Sequence, residues 1–248
     1  MNDYIPHLIE LRKRILQSGT VLFVLFCILF YFDETLYSFL AQPLLTHLPS
    51  GSQLVAIDIT SPFTVPMKLA LITACVLAAP YCLFQLWSFI KPGLYRHEKR
   101  TIFPFLISSI FLFYLGIFFS FLVLCPMAIH FFVNATPLHV TLMTDIRYYL
   151  DFVLTLLFAG GVAFQVPVIT VALIQANIVT TLFLTHLRPY IIVLAFILGM
   201  LLTPPDVLSQ ILVALPMWGL FELGLLFAKY LEKKQKEKEI KILAQNHA

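Results

Sequence analysis

The sequence predicts an all-α membrane protein, with six transmembrane helices in a curved, concave bundle and both termini in the cytoplasm. Three observations carry this prediction. First, 60% of the 248 residues are hydrophobic and 12% are charged, at a mean hydropathy of +0.92, whereas about a quarter of an ordinary soluble domain is charged. No water-soluble fold hides that much apolar surface. Second, the apolar residues fall in runs long enough to cross a bilayer, which takes about 20 residues at a rise of about 1.5 Å each. Third, the Lys and Arg residues collect between alternate runs.

The spans fall near residues 15–32, 67–90, 103–133, 150–174, 190–203 and 208–228. The first follows Arg12, Lys13 and Arg14, as the apolar part of a signal peptide would. However, Ile15 to Phe32 is 18 residues, longer than that part usually is, and no small-x-small cleavage site follows, so the segment reads as a retained helix. The third run is long enough to project beyond the bilayer. Pro126 is expected to kink it, and Pro80 and Pro167 to bend the second and fourth, which gives the bundle its curvature. The fifth run has 14 residues and reaches only about 21 Å, against a hydrocarbon core of about 30 Å, so a locally thinned bilayer is expected there.

Fourteen of the 16 Lys and Arg residues precede the first span, lie in the 91–102 and 175–189 connections, or follow the last span. Only Lys68 and Arg147 fall on the other side, so the positive-inside rule places both ends in the cytoplasm. Residues 1–248 read as a single integral membrane domain. Its end, 229–248, is a cytoplasmic charged tail of alternating Lys and Glu, either a solvated helix or a disordered end. The exported 33–66 loop carries Pro43, Pro49, Pro62 and Pro66 and a short helical pattern around Glu34 to Ala41, and is expected to form an ordered cap.

Several function classes are disfavoured. The net charge of +3 comes from clusters that report membrane orientation, not nucleic-acid binding. Cys27, Cys75, Cys82 and Cys125 lie inside apolar runs without CxxC spacing, so neither a disulfide nor a metal is expected, and no cofactor. HExxH, GxSxG, Walker A and GxGxxG motifs are missing, which argues against an enzyme or an ATPase. There is no internal repeat of the kind found in many secondary transporters.

Acid placed among bases on the cytoplasmic side stands out, at His7-Leu-Ile-Glu10-Leu-Arg12-Lys13-Arg14 and at Tyr95-Arg96-His97-Glu98-Lys99-Arg100. On spacing alone these are ordinary exposed ion pairs: Glu10 reaches Lys13 or Arg14 at i+3 or i+4, for about 0.3–0.5 kcal/mol. Glu222 lies seven residues before Lys229, inside the last span, where an ionisable group is by default functional; equally, it snorkels to the interface or bonds a neighbouring helix. Asp151 and Lys68 sit near the exported ends of their helices. Gln165 is a neutral polar group near mid-membrane, most simply helix glue.

Four motifs, His7-Leu-Ile-Glu-Leu-Arg-Lys-Arg14, Ser61-Pro-Phe63, Phe89-Ile-Lys-Pro-Gly-Leu-Tyr-Arg-His-Glu-Lys-Arg100 and Met200-Leu-Leu-Thr-Pro-Pro-Asp206, together resemble the TatC family over nearly the whole chain. That family is the receptor core of the twin-arginine translocase, which exports folded proteins. The resemblance implies a multi-pass protein of the bacterial cytoplasmic membrane that binds twin-arginine signal peptides at Glu10 and Glu98, with Arg12 and Phe89 close by. It also implies partner helices from the single-span TatA and TatB subunits, docking where Met200, Thr203 and Gln210 match the family's polar cluster. A homo-oligomer within a TatBC complex and energy from the proton motive force follow from the same resemblance. Gln165 departs from it, because the family commonly has a glutamate there. The rival reading is a proton-coupled small-solute carrier using Asp151, Glu222 and Lys68.

Overall fold

The computed structural model describes residues 4–32, 35, 37, 54–55, 59–90, 102–134, 144–176, 178–202 and 207–246. Among the described residues the regular structure is helical apart from one two-residue parallel bridge, in which Leu54–Val55 (β1) pairs with Thr144–Asp145 (β2). The helices are α1 (Tyr4–Phe30), α2 (Ser61–Ile90), α3 (Ile102–Phe119), α4 (Cys125–Asn134), α5 (Ile146–Ala163), α6 (Val166–Gln175), α7 (Thr181–His186), α8 (Arg188–Leu202) and α9 (Val207–Asn246). Among the described residues, five segments are long and apolar enough to cross a membrane: Leu8–Phe30, Ser61–Phe89, Phe103–Phe131, Ile146–Gln175 and Val213–Lys234. The apolar α8 is shorter, and its 15 residues rise about 22 Å.

Several expected boundaries shift for local reasons. α1 begins at Tyr4, eleven residues before the apolar run at Ile15, because its charged first turns are joined internally: Arg14 binds Glu10 one turn earlier. The third span is α3 and α4 joined by a π turn, Ser120–Leu124. Pro126 follows at once, and its missing N–H would leave an α-helical carbonyl one turn back unpaired, so the wider turn falls where the α pattern is already broken. The fourth span divides at Phe164–Gln165 into α5 and α6, with Pro167 in the first turn of α6, where a proline costs no hydrogen bond. Pro80 lies within the unbroken α2. The segment 34–41 falls largely outside the described residues.

The chain forms two compact units, Met1–Gly161 and Val162–Ala248. In the first, α1 lies along α2. Leu69, Ala70, Ala74 and Ala78 of α2 are buried, as are Leu150, Val153, Leu154 and Leu156 of α5. At its C-terminal end α2 is fastened to α3, with Trp87 Nε1 donating to Ser109 Oγ at 2.9 Å and the Trp87 ring stacked on Phe105. The third span approaches α5 closely at small residues: a Cβ on Gly160 would lie 2.9 Å from the Gly116 carbonyl oxygen. In the second unit α9 packs against α6 and α8, and Leu184, Phe221 and Leu225 form a buried cluster joined by Ile174, Leu187 and Ile191. A Cβ on Gly224 would meet the Cα of Pro167 at 2.7 Å, so α9 and α6 touch backbone to backbone there.

Candidate functional site

Sequence alone left Glu10 with two candidate partners, and the structure selects Arg14. The guanidinium donates from Nε (3.1 Å) and Nη2 (2.6 Å) to one carboxylate oxygen, Oε1 of Glu10. The other oxygen, Oε2, has no hydrogen-bond partner among the described residues. Both side chains are partly exposed. Arg14 is held from the far side as well, since its Nη1 donates to Oε1 of Gln85 on α2 at 2.9 Å. The Gln85 amide nitrogen in turn donates to Gln17 Oε1 and to the Tyr81 hydroxyl, at 3.2 and 2.7 Å. An α1–α2 polar network therefore surrounds the predicted carboxylate.

Arg12 is exposed on the same helix, and Phe89 is half-buried at the end of α2. Glu98 belongs to the 91–101 segment, outside the described residues. The two helices that flank this segment are fixed to each other by the Trp87–Ser109 hydrogen bond. Gln85 and Tyr81 were not singled out from sequence. Their signal was a glutamine inside the apolar stretch Leu83-Phe84-Gln85-Leu86-Trp87, one turn after a tyrosine.

The other polar residues fall into separate groups. Lys68 Nζ binds both carboxylate oxygens of Asp151 at 2.8 Å, joining α2 to α5 with both side chains partly exposed. Glu222 is ion-paired through Oε1 to Arg188 at the start of α8, so it bonds a neighbouring helix. The pair is one-sided, because Glu222 Oε2 and Arg188 Nε are buried without a partner among the described residues. Gln165 is buried at the N-terminus of α6. In the predicted docking patch, Met200 is exposed and Gln210 donates to the Phe196 carbonyl oxygen at 2.8 Å, so one of its two amide N–H groups is used within the α8–α9 pair. Thr203 lies outside the described residues.

Comparison with known proteins is consistent along the chain. The family model described as Sec-independent protein translocase protein (TatC) matches residues 6–216. Proteins named Sec-independent protein translocase protein TatC are 48% identical in Azotobacter chroococcum mcd 1, over 93% of this chain and 91% of that one. The Haemophilus influenzae protein of that name is 47% identical over 96% and 93%, and the Escherichia coli K12 protein 46% identical over 95% and 91%. Among solved structures, a crystal structure of the twin-arginine translocase receptor TatC superposes with a TM-score of 0.83 at 36% identity, covering 90% of this chain and 98% of that one. A second, in DDM, gives 0.84 at 35% identity over 90% and 99%. The chain therefore belongs to the TatC family of Sec-independent protein translocase proteins, as a multi-pass membrane component of protein transport and not an enzyme.

Proposed function

We propose that this protein is the signal-peptide receptor of a twin-arginine translocase, reading paired arginines at its cytoplasmic face with Glu10 and Glu98, with Arg12 and Phe89 beside them. The observation that carries the reading is that Glu10 already binds a guanidinium, with two N–H groups converging on one oxygen and the second oxygen without a partner among the described residues. A carboxylate pairs with the planar guanidinium fork in a way that the point charge of Lys does not reproduce. The surrounding Arg12, Lys13 and Arg14 disfavour generic cationic peptides, so affinity depends on correctly placed forks.

Six membrane spans with both termini in the cytoplasm, an inner-membrane location, docking of TatA and TatB helices around Met200, Thr203 and Gln210, self-association within a TatBC complex and coupling to the proton motive force complete the proposal. Lys68, Asp151 and Glu222, the groups a solute carrier would use, are each held in an ion pair, which weighs against that reading. A twin-arginine peptide carrying a photo-reactive group beside its arginines is expected to cross-link to the purified protein within the first turns of α1 or the 91–101 segment. Cross-links confined to other regions would overturn the assignment.

A further inference from the structure

We infer that Arg14 is an internal occupant of the peptide site, and that an arginine-bearing peptide binds Glu10 by exchange, displacing Arg14 from the carboxylate. The inference rests on the receptor reading above and adds to it a residue that controls access. Arg14 spends two of its donors, Nε and Nη2, on Glu10 Oε1, which occupies that oxygen. A side-on fork needs both carboxylate oxygens at once. With Arg14 in place, an incoming guanidinium finds only Oε2, so the two-bond geometry that distinguishes Arg from Lys becomes available only after Arg14 leaves.

Gln85 is the device that keeps Arg14 there. Its side-chain oxygen accepts from Arg14 Nη1, and its amide nitrogen is committed to Gln17 and Tyr81, so the amide cannot turn over without losing these bonds. Arg14 is thus held between a carboxylate on its own helix and an amide on α2. The contact is partly exposed, a setting in which an ion pair is weak enough to be exchanged. The exchange replaces one guanidinium by another, so the charge balance around Glu10 is unchanged. A lysine peptide, with no fork to offer, gains little from displacing Arg14, and the internal arginine raises discrimination at the expense of affinity.

The test measures the affinity of the full-length protein in detergent for a fluorescent twin-arginine peptide and for its twin-lysine counterpart. Arg14→Lys keeps the charge but removes the two-donor contact, and is expected to tighten twin-arginine binding by roughly threefold to tenfold. Gln85→Leu, which releases Arg14 from its far side, is expected to act in the same direction by less. Arg14→Gln is expected to tighten binding of both peptides and to narrow the gap between them. Removing a positive charge attracts any cationic peptide, so the gain must exceed that of Lys13→Gln, which removes the same charge from an exposed neighbour that makes no such contact. Unchanged or weakened twin-arginine binding in both Arg14→Lys and Gln85→Leu, with normal elution on gel filtration, would overturn the exchange. Glu10→Gln separates the two levels: if it abolishes binding while the Arg14 variants gain nothing, the exchange is wrong and the receptor reading stands. If it leaves binding intact, the receptor reading itself fails.

Discussion

Gly160→Ala isolates what the close approach between the third span and α5 contributes. In an open helix this change is favourable by about 1 kcal/mol, since Ala loses less backbone entropy than Gly. Here the new Cβ would lie 1.8 Å from Ser120 Oγ, 3.0 Å from Ser120 Cβ and 2.9 Å from the Gly116 carbonyl oxygen. The hydroxyl can rotate away, but the Cβ and the carbonyl belong to the helix frame and move only if the helices separate. Overpacking of this kind costs about 1–3 kcal/mol, so the net expectation is a loss of up to about 2 kcal/mol. Close packing at small residues is also a principal attraction between helices in lipid, where no hydrophobic force acts. Gly219, whose Cβ would meet nothing within 4 Å, provides the control, and Gly219→Ala is expected to be neutral or stabilising. Thermal unfolding of purified protein, followed by loss of the monodisperse gel-filtration peak, measures the difference. Ser120→Gly removes both side-chain obstacles and is expected to offset part of the Gly160→Ala loss, with a coupling of about 1 kcal/mol in the double-mutant cycle. A Gly160→Ala protein as stable as Gly219→Ala, or a cycle that is strictly additive, would refute the argument.

Three further expectations follow from other contacts. In a background with the four cysteines replaced by Ala, a cysteine introduced at Ser50 or Pro137 is expected to react with a membrane-impermeant reagent in intact cells, and one at Gln235 only after lysis; labelling at Gln235 in intact cells would contradict the proposed topology. Thr203→Leu with Gln210→Leu is expected to weaken co-purification of TatB, through a loss of about 0.6–2 kcal/mol per contact, while leaving peptide binding intact. Full recovery of TatB would remove that patch from the docking surface. Glu222→Gln is expected to lower thermal stability by leaving Arg188 without its counter-charge, and Glu222→Met combined with Arg188→Met to recover most of the loss, because an apolar pair carries no desolvation penalty. A double variant less stable than the single one would show that the pair is a net stabiliser.

The apolar helices were legible because hydropathy over some 20 residues is a local property, and the short fifth run at 190–203 appears as the short α8. The start of α1 was not. Charged residues from Glu10 to Arg14 end a hydropathy run without ending a helix, and it is the i,i+4 pairing of Glu10 with Arg14 that carries α1 back to Tyr4. Pro126 announced an irregularity in the third span, but not that it would be a π turn, since proline forbids one bond without dictating the turn that replaces it. Lys68 with Asp151 and Arg188 with Glu222 are tertiary pairs, 83 and 34 residues apart, and a single sequence holds no signal that joins them. The pairing of Glu10 with Arg14 was legible from spacing, as one of two options. Gln85, which holds the arginine against it, was not, because a lone glutamine in an apolar run reads first as helix glue.

The most direct test of the central claim is the affinity of a twin-arginine signal peptide for Glu98→Gln, Glu98→Asp and Glu10→Gln proteins, set against the same peptide with lysines. A hydrogen bond to a charged group contributes about 1.5–3 kcal/mol, so loss of one fork is expected to weaken binding by roughly tenfold to a hundredfold. Glu98→Asp is expected to weaken it less, and the Glu10→Gln, Glu98→Gln double variant less than additively if both carboxylates serve one motif. The lysine peptide is expected to lose little further affinity on the Gln variants, because the fork it lacks is already unread there. Twin-arginine binding as tight in the Gln variants as in the unmodified protein would make these glutamates plain juxtamembrane ion pairs and would place the receptor site elsewhere.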